Sequence, residues 1–391
     1  MKSVLEYYAE TLGNKILRDE NGIPGVFVRH PKQKSIEFDA LLPDHTHPAF
    51  VVGNTEDPAL LIGKYKNSEI NGRLYSLPMA LPKNSDYDRA LERQRTGENV
   101  SGLTIADHGL LVLTAHKAGK VSHGNTNHGA DYRAGTVWET EKTVSAGDKR
   151  IFRGWEYTCL IGHTTSIQYM PANAPAYWAK GRYVGGAVEE SGIYTLTGSG
   201  PIDWNFLEDP CLEADIAGNV SEQVYGFRLV NCEIQILPNN NASDPNANLS
   251  EMSSLWKAIK PHAEDDGYDL VAPGTEGTVH YNFVGDKIVL DTAVSDLTIG
   301  DKCTAFKSVG VNTENLPHVP HILYELGLAP IPGTTVDGDL YVSFAEGERV
   351  ARRGGNYGTA AHSGIAALNC THDRRTVTMY YGSRARARIT E

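Results

Sequence analysis

Only five of the 391 residues are cysteine, and they stand far apart at Cys159, Cys211, Cys232, Cys303 and Cys370. An odd number at wide spacing excludes a disulfide framework and a CxxC metal site, and points to buried free thiols. No apolar run approaches the length of a membrane span, so no membrane insertion is expected. The opening "MKSVLEYYAET" puts acids where a secretion signal needs an unbroken apolar core. There is no G-x-S-x-G elbow, no H-E-x-x-H, no phosphate-binding loop and no dinucleotide fingerprint. Positive charge is also short: 36 Lys and Arg against 48 Asp and Glu leave a net charge of −12. A chain of that balance is a poor general nucleic-acid binder, because phosphates need a positive surface. The local exception is the C-terminal stretch, with Arg352, Arg353, Arg374, Arg375, Arg384, Arg386 and Arg388.

Hydrophobic residues make up 40% and charged residues 21%, enough apolar content for a sizeable core. The 39 glycines and turns such as "PNNNASDPNANLS" predict many loops and short strands with few helices, an α+β class. A first helix is expected over 3–12, where Ser3 and Glu6 form a capping box and Gly13 ends it. Ser85 with Asp88 caps a second over "DYDRALERQR", ended by Gly97. Thr104 with Asp107 caps a third over "IADHGLLVLTAHKAG", apolar nearly all round and hence buried. Met252, Leu255, Trp256 and Ile259 follow helical spacing before Pro261 and predict another. "GVFVRH", "SIEFDALL", "ALLIGKY", "EIQIL", "KIVLDT" and "LYVSF" read as strands. A boundary at "DHTHPAF" starts the main domain near Pro48 and leaves 1–47 as an attachment or oligomerisation element.

His45 and His47 flank a threonine, and His108 and His116 lie eight residues apart on one helix. That is about 12 Å of rise, too far for one ion. Packed or surface histidines are the expectation, with no metal site, no catalytic residue and no cofactor. "NNNASDPNAN" carries oxygens that permit a structural Ca²⁺, although it lacks the EF-hand spacing and reads as a polar loop.

Five strings occur in a fixed order: "LLIGKYKNSEINGRLYSLP" from Leu60, "GNTNHGADY" from Gly124, "YTLTGSGPIDW" from Tyr194, "DIAGNVSEQVYGFRLV" from Asp215 and "RRGGNYG" from Arg352. Together they resemble the formylglycine-generating-enzyme type of C-type lectin fold over roughly residues 48–391. They most resemble its non-enzymatic branch in phage and prophage, the retroelement-diversified tail-fibre receptor-binding proteins. The enzymes of this fold use a cysteine pair soon after Arg-Gly-Gly. Here Tyr357 to Gly364 holds no cysteine and Cys370 stands alone. Ser221 and Gln223 stand where the family usually has tryptophans, and His108 where it has an aromatic residue.

The resemblance implies a variable region at 357–383, templated on asparagine codons that cannot become Lys, Glu, Gln, Trp or Met. From Tyr357 to Thr390 the chain has no Lys, Glu, Gln or Trp, and Met379 is the exception. Gly364, Leu368, Asn369, Arg374, Gly382 and Arg384 match framework positions. Gly358, Thr359, His362, Thr371, His372, Thr376, Thr378, Met379 and Tyr380 match variable ones, and Ser383 replaces a framework phenylalanine. With Tyr357, Arg375 and Tyr381, these variable positions and Ser383 are the expected ligand-binding residues. Tyr357, Tyr380, Tyr381, His362, His372 and Arg375 are expected to share one exposed patch, because tyrosine offers large contact area at low entropic cost. The implied protein is not an enzyme. It binds a host cell-surface receptor, protein or glycan, as part of a virion tail. It assembles as a homo-oligomer, a trimer by the habit of tail tips, beside other tail proteins. The rival readings are an oxidase of the formylglycine-generating kind, which the missing cysteine pair opposes, and a bacterial cell-surface adhesin.

Overall fold

The last strand of the chain is an interior strand of a sheet. In the computed structural model, which describes residues 2–188 and 193–389, Ala385–Ile389 lies between Ala59–Gly63 and Val100–Gly102. The alternation of "ARARI" explains its two faces. Ala385 and Ala387 pack with Phe27, Leu61 and Val100. Arg386 and Arg388 point the other way and meet Asp107 at 3.1 Å and Asp57 at 2.8 Å. Lys15–Arg18 and Pro24–Pro31 complete this five-stranded antiparallel sheet, Pro24–Pro31 pairing with Ala59–Gly63 from Phe27↔Gly63 to Pro31↔Ala59. Residues 1–47 therefore contribute two strands to the sheet that holds the C-terminus, and no sheet boundary falls at Pro48.

Among the described residues the second large sheet has twelve strands, with Ser221–Val230, Glu348–Gly354 and Gly364–Cys370 adjacent near its middle. Helix Ile105–Ala118 packs over it, and Leu110, Leu111, Phe227, Ile365 and Leu368 share one fully buried cluster. Its Thr104–Asp107 capping box forms as expected, and Gly119 closes it in the left-handed conformation. Gly109 has to be glycine: a Cβ there would lie 2.1 Å from the carbonyl oxygen of Glu325, at the end of the short helix His321–Glu325. Strand outweighs helix, 34% against 17%, so the class is α+β.

The first helix is Val4–Thr11 with its Ser3 capping box, and the second is Tyr87–Gln94. That second helix is capped by Asp86 rather than Ser85 and ends before Gly97. Two sequence expectations are corrected. "SIEFDALL" is not a strand: Ser35–Glu37 is a 3-10 turn, with Glu37 accepting from the Lys34 amide at 2.8 Å. The helix expected over 248–259 does not form. Lys257–Pro261 is instead a strand between Glu233–Ile236 and Tyr268–Val271. The helical spacing there was a coincidence of two environments. Met252 is 90% exposed, whereas Trp256 is buried under the Arg228 guanidinium, 4.5 Å from its ring centre. Tertiary packing overrides the local pattern.

Candidate functional site

The segment 357–383 divides into a buried scaffold and an exposed rim. Ile365–Leu368 belong to the core strand Gly364–Cys370, registered against Arg352 and Arg353 of the neighbouring strand. Gly354 and Gly355 sit at φ 88° and 75°, and Cβ atoms there would strike the Ile216 carbonyl at 2.5 Å and the Ser363 side chain at 2.5 Å. These two glycines turn the chain out of the strand and into the 3-10 turn Ala360–His362. A second irregular stretch, 371–380, returns the chain to Tyr381–Ser383, which pairs in parallel with Ser221–Val230. Asp373 holds this loop by accepting from the Arg375 amide at 3.0 Å and the Thr376 hydroxyl at 2.8 Å.

Between the two irregular stretches runs a shallow groove of about 70 Å³. Thr359, His362, Tyr380 and Tyr381 line it, with Asp339, Tyr341 and Asn369. The His362 imidazole meets Asp339 at 2.6 Å, and its side chain is 54% exposed. Gly358, Arg375, Met379 and Tyr380 are exposed, while Thr359, Thr371, His372, Thr376 and Thr378 are half-buried. Thr371 donates to Asn369 Oδ1 at 2.8 Å, and Thr378 accepts from the Tyr380 amide at 3.1 Å.

Three expected binding residues are not on the rim. Tyr357 is buried, ringed by Tyr194, Tyr380 and His128 with centroids 5.4–5.5 Å away. Burial and those neighbouring phenols push its pKa up. Tyr381 is buried beneath the Arg352 guanidinium, 4.0 Å from its ring centre, and its hydroxyl reaches His372 Nδ1 at 2.9 Å. Burial, with the nearby Arg352 charge, lowers the pKa of His372, and its Nδ1 also meets the Thr371 hydroxyl at 2.7 Å. Ser383 is buried and accepts from Asn67 at 3.1 Å. The expectation of one exposed patch containing Tyr357 and Tyr381 is thus corrected. The Tyr357 ring packs against the exposed Tyr380, and the Tyr381 ring lies between Arg352 and His372.

The C-terminal arginines are not a basic face. Arg384 is fully buried on Glu222 at 2.7 Å, and it also donates to the carbonyls of Gly63, Lys64 and Ala214. Burial alone would raise the Glu222 carboxyl, but Arg384 and Lys66 hold it down to about 2. Arg353 donates to the carbonyls of Leu326 and Gly327 and so closes the end of helix His321–Glu325. Arg374 is clamped by Glu348 at 2.6 Å. Of the seven, only Arg375 is exposed.

Sequence reasoning missed Tyr341 and Asp339. A signal existed for Tyr341: in "LYVSF" Leu340 and Val342 are fully buried, so the residue between them faces out. It also missed two groups that the fold assembles from distant residues. Cys303, Asp339 and His362 bring ligand atoms within 4.8 Å of one another beside the groove, and His45, His321 and Glu325 do the same elsewhere. His45 and Glu325 are 280 positions apart, so spacing along the chain could not show the second group. The legible part was "HILYE", whose His and Glu lie one helical turn apart on one face.

The polar loop at 238–246 is tied to the fold by its own side chains. Asn240 donates to the Ala49 carbonyl at 3.3 Å, and Asp244 accepts from the Asn246 amide at 2.8 Å. No family model matches the sequence, and no curated protein sequence matches it.

Proposed function

We propose that the chain is a non-catalytic receptor-binding protein of a phage or prophage tail tip, built on a C-type lectin-like scaffold of the formylglycine-generating-enzyme type. The observation that carries this reading is the partition of 357–383. Of the framework positions, Gly364, Leu368, Arg374, Gly382 and Arg384 are buried and Asn369 is half-buried, whereas His362, Arg375, Met379 and Tyr380 emerge from irregular segments. Exposed loop positions on a rigid frame can change identity at little cost in stability. The groove, at about 70 Å³, is far below the roughly 300 Å³ at which small-molecule pockets begin. It therefore suits a macromolecular surface, a host protein or glycan, and a homo-oligomer such as a trimer on the virion would add the avidity that a small contact needs.

The test is adsorption of the labelled full-length chain to a panel of bacterial cells. His362→Ala combined with Met379→Ser should remove adsorption and leave the melting temperature in place. Adsorption unchanged by this double substitution would place the recognition surface elsewhere.

A further inference from the structure

Outside the groove, a cavity of about 290 Å³ lies between the "DHTHP" segment, helix Ile105–Ala118 and helix His321–Glu325. Ile105, Ile236, Tyr268 and Leu270 form apolar walls, and His45 and Glu325 supply its charged corner. Glu325 has no solvent exposure. Its Oε1 accepts from Ser35 and meets His45 Nε2 at 2.6 Å. Among the described residues its Oε2 has no hydrogen-bond partner, although an ionised buried oxygen left alone is costly.

His321 Nε2 stands 4.0 Å from that oxygen, beyond hydrogen-bond reach. Its other nitrogen, Nδ1, lies 3.0 Å from the Asp266 carbonyl, a group that can only accept. The Nδ1 proton is therefore committed to Asp266, and in the neutral ring Nε2 carries a lone pair aimed at a carboxylate oxygen. Two electron-rich atoms facing one another are matched by a cation between them. A backbone carbonyl that fixes the tautomer is also the usual support of a metal-binding imidazole. The His45 and His321 rings stand edge to face with centroids 5.6 Å apart.

The backbone beneath the acid is held from three sides. His47 Nε2 donates to the Glu325 carbonyl at 3.1 Å, Gly109 lets the long helix approach, and Arg353 closes the following turn. His47 is thus a positioning residue and His45 the group that reaches the cavity, which gives the two histidines of one short motif different tasks.

We propose that His45 Nε2, His321 Nε2 and the Glu325 carboxylate bind one divalent transition-metal ion of the zinc class, with its open coordination side toward the cavity. The three ligand atoms lie within 4.8 Å of one another, and ligands about 2 Å from a shared ion stand roughly 3–4 Å apart, so side-chain rotation alone closes the site. The ion takes the place of the proton between His45 and Glu325. Two imidazoles select against Ca²⁺ and Mg²⁺, which prefer all-oxygen ligands. His45 is half-exposed and gives the ion a way in.

The test uses the full-length chain stripped with a chelator. Titration calorimetry with Zn²⁺ should show one site per chain, and Co²⁺ should give the visible absorption of a low-symmetry nitrogen and oxygen ligand set without a thiolate charge-transfer band. His45→Ala and His321→Ala should each weaken Zn²⁺ binding at least about 100-fold, whereas His362→Ala should leave it unchanged. His45→Ala alters a half-exposed loop side chain, so its melt should remain cooperative and its binding readable. The Co²⁺ spectrum of the unaltered chain serves as a check that needs no variant. Absence of stoichiometric Zn²⁺ binding, affinity undiminished in His45→Ala, or a thiolate band that disappears with His362→Ala would each overturn the proposal.

Discussion

Tyr380 and Tyr381 are neighbours in sequence and belong to different regions of the molecule. Tyr380 is 41% exposed on the rim of the groove, and Tyr381 is 5% exposed beneath Arg352. The same division separates the arginines. Arg375 is exposed, while Arg374, one residue earlier, is locked to Glu348 and Asp88. Composition cannot tell these residues apart. For the tyrosines the difference is that Tyr381 belongs to a strand and Tyr380 to the turn before it; the two arginines share one turn, and the difference is that the Arg374 side chain reaches in to Glu348 and Asp88. If the exposed residues carry the proposed recognition, recognition and stability reside in different residues of one segment, so substitutions should affect one property at a time.

The harshest challenge to that division is removal of the segment. A chain ending before Arg352 loses Gly364–Cys370, Tyr381–Ser383 and the interior strand Ala385–Ile389. It should lack a cooperative melt by calorimetry. A truncated chain that melts near the full-length temperature would mean that the segment is an appendage.

Next in size is the buried ion cluster. Glu222→Gln leaves the Lys66 ammonium and the Arg384 guanidinium, both fully buried, without their anion. Breaking a buried pair on one side costs about 3–5 kcal/mol, measurable as a lower denaturant midpoint. An effect near zero would remove the cluster from the framework.

The acid limb of the stability profile gives a smaller signal, to which Glu222 and His108 contribute with the same sign. Glu222 is held at about 2 against 4.5, so its contribution is complete above the unfolded value and is lost as pH falls from about 4.5 toward 2. For a shift of that size the loss is about 3 kcal/mol. His108 is fully buried, and burial together with the Arg353 charge pulls its pKa well below 6.5. Its unfolded form takes up a proton first, so stability also declines as pH falls through about 6.5. His108→Phe should flatten the decline just below neutrality and leave the later acid limb intact. An unchanged profile would mean that the imidazole is charged inside the fold.

How much of this was legible in the sequence follows physical lines. Capping boxes and short apolar runs are local, and they located helices Val4–Thr11 and Ile105–Ala118 and strands such as Ala59–Gly63 and Asp339–Phe344. The strand at Lys257–Pro261 was not legible, because its partners lie in 233–236 and 268–271 and the local spacing happened to read as helical. Residue types also concealed burial. A stretch rich in tyrosine, threonine and arginine reads as a surface, yet three of its residues are interior: Tyr357 packs among the His128, Tyr194 and Tyr380 rings, Tyr381 lies under Arg352 with its hydroxyl on His372, and Ser383 accepts from the Asn67 amide. The His45–His321–Glu325 group was hidden for a third reason: its members come from segments 280 positions apart.

The most direct measurement compares Tyr380→Ser with Tyr381→Ser in parallel, by thermal melt and by binding to the cells that the unaltered chain recognises. Tyr380→Ser should shift stability by no more than about 0.5 kcal/mol while reducing binding by about 2 kcal/mol or more, roughly 30-fold. Tyr381→Ser should cost about 3 kcal/mol of stability by emptying the space under Arg352. Equal losses of stability in both variants, or full binding by a folded Tyr380→Ser chain, would contradict the separation of rim from framework.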